Sequence, residues 1–478
     1  MVETFWVWVV LGFGVLWVCL VKWNQTKYCS RRRKGRRLPL PPGTMGWPLF
    51  GETKDFIQKG PQFMIAQRQR YGSVFKTHIL GSPAIISMDP DLNRYILKNE
   101  SKGIVPGYPK SMVDILGQNI STVSGDAHRI ISKNLLSLVG APAIKDNIFH
   151  NVVAHTFDFI SSWDGITLDF QEKALEFAFM VMFKQIMGAD SNSIYDEFKA
   201  EFDKLQTGTL SLPINIPGSN YRTGMMAKKK VKKILAEMLE KRRGEMKEKE
   251  ARDMLEILVR NEEQKYSLSD DDEIIEQIVT ILYSGYETVS KTLMMCVKYL
   301  HDHPQILQEF KEEHFGIKKK RGGKLGLDWE DYKAMRFTRA VIMEASRLST
   351  IVNGVMRKTT NDVELNGFVV PKGWRIYVYT RELNYDPHLY PNPLQFNPSR
   401  WLDRKCKLEA NPYFLLFGGG GRVCPGKDLG IVLISLFLHL FVTTYRWEED
   451  GKQKLEVFPR VMAPNGYNIK LTKLELSS

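Results

Sequence analysis

Apolar and polar positions divide the chain into one uncharged run, many stretches of helical period and a few short alternating ones. The run from Phe5 to Val21, FWVWVVLGFGVLWVCLV, carries no charge. At ~1.5 Å per residue it comes close to the ~30 Å of a bilayer's apolar core. It predicts a membrane helix, with a cleaved signal peptide as the rival reading. Short runs near Pro83–Met88 and near Glu364–Tyr379 are bounded by Gly and Pro, as strands and turns are. A helix is predicted from Ser269, where Ser-x-x-Asp to Asp272 forms a capping box, to about His301 before Pro304. Ile274, Ile278 and Leu282 repeat every fourth residue, with Ile275, Val279 and Tyr283 beside them, so most of its surface is expected to be buried. The segment KDLGIVLISLFLHLF predicts a second helix through about Phe441, with Pro425 in its first turn.

The basic run SRRRKGRR at Ser30–Arg37 follows the apolar span while Glu3 precedes it, which by the positive-inside bias places everything after the span in the cytosol. The prolines of LPLPPGTMGWP, Leu38–Pro48, then deny the chain a helix. The expected organisation is an anchor over 1–24, a basic and proline-rich linker over 25–48, and one large domain over 49–478 without repeats or further linkers. The chain has 478 residues, 43% of them hydrophobic, enough for a large core. Its net charge of +13 implies attraction to something acidic, be it nucleic acid, anionic lipid or an acidic protein face, and charge alone does not choose among them. The stretch Met225–Glu250 mixes Lys, Arg and Glu without interleaved aromatics, which is the pattern of a solvated helix face, and no nucleic-acid role is assigned to it. The five cysteines, Cys19, Cys29, Cys296, Cys406 and Cys424, are widely spaced and form no CxxC pair, which argues against a disulfide framework or a zinc ribbon.

One cysteine stands apart. Cys424 lies in FGGGGRVCPGKDLG, after four glycines and an arginine. A cysteine ligates metal as the thiolate, so it needs positive potential. Glycines that turn N–H groups inward, and the positive end of a following helix, supply it. A small buried hydrophobe is the alternative for a lone cysteine. On the long helix, YSGYETVS places Gly285, Glu287 and Thr288 in an apolar interior. A glycine there costs roughly 1 kcal/mol relative to Ala, so helix packing or a ligand site must compensate it.

The spacing Phe417-x-x-Gly-x-Arg422-x-Cys424-x-Gly426 resembles the haem-ligand loop of cytochrome P-450 monooxygenases. The resemblance implies a mainly α fold with a smaller β region, a cytochrome P-450 fold with an N-terminal transmembrane anchor helix. It implies haem b with Cys424 as axial iron ligand, and haem contacts from Phe417, Arg422, Gly426, Arg357 and His128. Glu344 and Arg347, one turn apart, resemble the family's Glu-x-x-Arg, and Arg400 its third member. Glu287 and Thr288 match the residues that pass protons to the oxygen being activated. Many relatives follow Trp or His by Arg four positions later; here His128 is followed by Ser132, and Lys133 or Arg129 is the candidate replacement.

Strings such as NESKGIVPGYP, ILYSGYETVSKT, TIVNGVMRKTT and YRWEEDGKQKLEVFPRVMAPNGY are similar to plant brassinosteroid-6-oxidases. That branch implies hydroxylation at steroid carbon six and oxidation to the ketone, with O2 and electrons from NADPH through cytochrome P-450 reductase. It also implies attachment to the endoplasmic reticulum membrane, with contacts to lipid and to an apolar substrate. Ile351, Val352 and Asn353 are expected at the pocket, Asn353 either orienting a hydroxyl or capping the turn. Lys291 stands three residues after Thr288, where this branch usually has Thr. Another steroid, a diterpenoid or a triterpenoid is the alternative substrate. Outside monooxygenation stand a haem-thiolate isomerase or dehydratase, which needs no proton relay, and a non-catalytic membrane steroid-binding protein.

Overall fold

The computed structural model describes residues 38–47, 50–100, 102–161, 163, 167–188, 194–245, 254–261, 271–322, 326–403 and 408–474, with isolated positions between 8 and 22. Most of the expected anchor over 1–24, the basic run, the Ser269 capping box, Cys29 and Cys406 lie outside the described residues. Among the described residues one helix, Lys427–Thr444, is long and apolar enough to cross a membrane, and 72% of it is buried in the protein's own core.

The chain forms two compact units. The first is discontinuous and takes the chain up to Gly107, then Val352–Leu383 and Gly418–Arg422. Its centre is a five-stranded sheet in the order Val74–Ile79, Ser82–Ser87, Arg375–Tyr379, Gly354–Thr359, Ile104–Pro106. Ser82–Ser87 and Arg375–Tyr379 run parallel, and the other neighbours are antiparallel. The run near Glu364 yields a hairpin of Val363–Leu365 and Phe368–Val370, turned at Asn366 and Gly367, both at positive φ. An Asn-Gly pair favours that conformation. The helix Pro90–Lys98 begins with Asp89, whose carboxylate accepts the Leu92 N–H at 2.8 Å, and with Pro90 in its first turn. Asn93 Nδ2 donates to the Tyr379 carbonyl at 3.0 Å, which ties the helix to the sheet. The helix ends at Asn99, next to Glu100.

The second unit holds residues 108–351, 384–417 and 423–478 and is mostly helical. The long helix is Asp271–Asp302, about 48 Å at the usual rise, and is buried from Ile274 through Leu300 on most positions. Phe170–Met187 and Arg336–Ser349 pack with it, and beside Phe170–Met187 an aromatic cluster of Trp163, Phe170, Phe177, Phe437 and Phe441 meets edge to face, tilted or, for Phe437 and Phe441, stacked. A three-stranded antiparallel sheet of Thr167–Asp169, Asn468–Lys473 and Tyr445–Glu449 completes the unit. The basic stretch is one helix, Asn220–Glu245, starting five residues before Met225.

Candidate functional site

The helix after the cysteine begins at Lys427 with Gly426 as its N-cap, so Pro425 sits ahead of the cap and not in the first turn. This start leaves the N–H groups of Gly426 and Lys427 without partners inside the helix, and both donate to the Cys424 sulfur. They and the Lys427 ammonium pull the thiol's pKa down, while burial, the largest effect, and Asp428 push it up, for a net rise. The residue is exposed, although protein surrounds its sulfur closely enough to desolvate the charge. The Cys424 N–H closes the loop onto the Phe417 carbonyl at 2.9 Å. Lys427 Nζ lies 5.3 Å from the Phe417 ring centroid and 2.6 Å from Glu409. Cys296 is the contrast, fully buried in the long helix with burial alone raising its pKa. Two aimed N–H groups with an adjacent ammonium are a donor set for a metal-bound thiolate, and only Cys424 among the described cysteines has one.

In the first unit the loop turns at Gly418 and Gly420, both at positive φ. A Cβ on Gly420 would stand 2.0 Å from the Leu97 carbonyl oxygen, so glycine lets the loop press on the end of the Pro90–Lys98 helix. Arg422 Nε lies 2.6 Å from Glu100 Oε1, and Arg422 Nη2 meets the same carboxylate. Arg357, buried in Gly354–Thr359, brings its Nε to 3.8 Å from Glu100 Oε2. The structure thus joins two residues singled out in the sequence around a third, Glu100, that was not. A buried and a partly buried guanidinium sharing one carboxylate are the charge pattern that a group bearing two carboxylates fits, as haem does.

In the second unit the long helix exposes Ser284 and Thr288, one turn apart, amid buried neighbours. Thr288 Oγ1 donates to the Ser284 carbonyl at 2.7 Å. The compensation for Gly285 is packing: a Cβ there would meet Met182 Cε at 3.0 Å. Glu287 is held by Arg460 Nη1 at 3.0 Å and by Gln206 Nε2 at 3.2 Å, and Tyr286 donates to the same Gln206. Lys291 is buried, with Nζ 3.3 Å from Gln171 Oε1; burial lowers its pKa while Glu287 works against that shift. Neither Arg460 nor Gln206 carries a motif that marks it in the sequence.

Glu344 and Arg347 are both fully buried. Arg347 Nε and Nη2 donate to Glu344 at 2.9 and 2.8 Å, Arg400 Nε donates at 3.0 Å, and Trp401 Nε1 at 2.8 Å. Arg347 also donates to the carbonyls of Asn384 and Pro393. Ile351 is half-buried at the end of the second unit's first segment. Val352 is exposed at the start of the first unit's second segment, and beside it Asn353 is buried, its side-chain oxygen accepting from Arg381 Nη1 at 3.3 Å and its carbonyl from the Thr380 and Arg381 N–H groups. His128 and Ser132 share the half-buried face of Gly125–Val139. Arg129 is turned to solvent, 80% exposed and paired with Asp126, and Lys133 is exposed as well.

A cytochrome P450 family profile matches residues 41–471. The chain is 54% identical over 463 residues to Cytochrome P450 85A1 of Solanum lycopersicum, covering 96% of this chain and 97% of that one. It is 54% identical to Cytochrome P450 85A of Phaseolus vulgaris over 97% of this chain and 98% of that one. It is 53% identical to Cytochrome P450 85A2 of Arabidopsis thaliana over 96% and 98%. Among solved structures, retinoic acid bound cyanobacterial CYP120A1 aligns with a TM-score of 0.81 at 25% identity, over 91% of this chain and 100% of that one. With its mainly helical fold, small sheets and thiolate donor set, the chain belongs to the cytochrome P450 family.

Proposed function

We propose that the protein is a haem-thiolate monooxygenase of the brassinosteroid-6-oxidase type, oxidising a brassinosteroid precursor at steroid carbon six. The observation that carries this reading is Cys424, with the Gly426 and Lys427 N–H groups on its sulfur, in a chain that is 53–54% identical over nearly its full length to several P450s named 85A. A haem held through a cysteine thiolate supplies activation of dioxygen, the sulfur pushing electron density that favours O–O cleavage. Each turnover takes one O2, two electrons from NADPH and two protons, places one oxygen on carbon and releases water. A first turnover gives the alcohol; a second gives a geminal diol that loses water to the ketone.

The chain's own residues divide the work. Cys424 ligates iron, with Phe417 and Gly426 shaping its loop, and Arg422, Arg357 and His128 serve the haem edge. Thr288 presents a hydroxyl on the exposed stripe of the long helix, and Glu287 holds the proton source behind it. The pair of Glu287 with the partly exposed Arg460 gives that carboxylate a link to solvent. Glu344, Arg347 and Arg400 keep the second unit's loops fixed. Ile351 and Val352 are the apolar pocket contacts, while Asn353, bound to Arg381, acts through the turn it stabilises. Residues 1–24 are read as an anchor in the endoplasmic reticulum membrane, with 49–478 on the cytosolic side, where NADPH-cytochrome P-450 reductase docks through its acidic face.

The test is a titration of the oxidised enzyme with 6-deoxocastasterone, followed by turnover with reductase and NADPH. A low-to-high-spin shift and a product heavier by one oxygen, then a ketone, are expected. A shift and turnover with a diterpenoid or triterpenoid alone would reassign the substrate.

A further inference from the structure

Glu100 is the one carboxylate described against both arginines of the first unit's cluster. Its side chain is 17% exposed, against 12% for Arg422 and 3% for Arg357. It follows directly on the Pro90–Lys98 helix and its cap Asn99, and the Leu97 carbonyl of that helix takes the close approach of Gly420. The cysteine loop is therefore fastened to one helix end twice, by backbone contact at Gly420 and by the Glu100–Arg422 pair. A carboxylate bound edge-on takes two of a guanidinium's five donors, so the same plane can serve a second carboxylate.

We propose that Glu100 is the counter-ion that holds Arg422 and Arg357 in place before haem binds, and a positioning residue for the haem carboxylates afterwards. The inference rests on the haem-thiolate reading. Two guanidiniums and one carboxylate sum to one positive charge; two haem carboxylates bring the cluster to one negative. With Glu100→Gln the same counts are two positive and zero. Buried like charges without a counter-ion are costly. The substitution therefore weakens the haem-free protein more than the loaded one, and haem, which binds only the folded form, compensates by linkage. Removing a negative charge at the haem edge also eases reduction of the iron.

The experiment compares full-length wild type, Glu100→Gln and Glu100→Asp, each prepared haem-free and haem-loaded, with Glu448→Gln as a control at an exposed pair with Arg446. Expected for Glu100→Gln is a melting temperature lowered by several degrees without haem and by less than half as much with it. A reduction potential moved to more positive values is expected as well. Glu100→Asp keeps the charge and should hold the wild-type potential while recovering part of the haem-free melting temperature. An equal loss in both forms, or a potential that does not move, overturns the proposal. Failure of the wild type to take up haem at all would instead overturn the reading of Cys424.

Discussion

The fully buried Glu344 carboxylate accepts N–H bonds from the equally buried Arg347 and from the partly buried Arg400, Trp401 and Asn397 backbone. Glu344→Gln removes the negative charge and points an amide N–H₂ at donors. Breaking a buried pair from one side costs about 3–5 kcal/mol. A matching drop in unfolding free energy in urea, with loss of haem retention, is expected. Thr288 behaves differently, since it is exposed and, among the described residues, its hydroxyl bonds only to carbonyls of its own helix. Thr288→Ala should leave the melting temperature within experimental error, keep NADPH consumption and divert it from product to peroxide by tenfold or more, on the order of a general-acid contribution. Product and peroxide measured together check this. The residues that were legible in the sequence are those whose meaning is local: Cys424 with its glycines, or Glu344 and Arg347 one turn apart. Glu100 and Arg422 are 322 positions apart, and no local pattern couples them.

Elements show the same division. The period of Ile274, Ile278 and Leu282 gave away the long helix, and its observed span, Asp271–Asp302, agrees with the expectation wherever residues are described. What the period did not show is how the cysteine loop meets the end of Pro90–Lys98, because that contact is backbone to backbone. Gly420→Ala forces a Cβ onto Leu97 at a positive φ, whereas Gly421→Ala meets nothing within 4 Å. The first should abolish haem retention in expressed protein and the second preserve it, read from the Soret-to-protein absorbance ratio.

The helices Pro304–Lys320, Arg336–Ser349 and Lys427–Thr444 are joined by a polar chain. Thr338 donates to Glu313 at 2.5 Å, His314 Nε2 lies 2.9 Å from the Thr338 hydroxyl, and His314 Nδ1 lies 2.9 Å from His439 Nδ1. With Thr338 donating to Glu313, both histidines fit as neutral rings, His314 donating from Nε2 and accepting at Nδ1 from His439. Burial lowers both pKa values, His439 to about 4 with help from Lys318 and Arg321, and His314 well below its ordinary range with help from His439. Their folded pKa values lie below the unfolded one, so the unfolded chain takes up protons first as pH falls. Stability is unaffected above roughly pH 7 and declines from about 6.5 toward 4 by up to about 1.4 kcal/mol per pH unit for each ring. His439→Gln should flatten the urea midpoint over that window by close to one proton's worth.

At the scale of the whole molecule, the first unit is assembled from three separated segments of chain, which is why the sequence after Pro48 offers no linker to mark it. Hydropathy misleads at this scale too. Lys427–Thr444 passes for a membrane span by length and composition, yet its side chains fill the core beside Trp163 and Phe177. The net charge of +13 bears on association and not on the fold. Reductase-supported turnover should fall several-fold between low salt and ~0.5 M while the melting temperature holds, as expected of a steered encounter. The central claim is that Cys424 ligates haem iron as a thiolate, and the carbon monoxide difference spectrum of the reduced protein tests it most directly. The wild type should show the long-wavelength Soret band of a thiolate-ligated carbonyl, and Cys424→His should lose it. Folded, haem-loaded wild-type protein that lacks this band would contradict that claim.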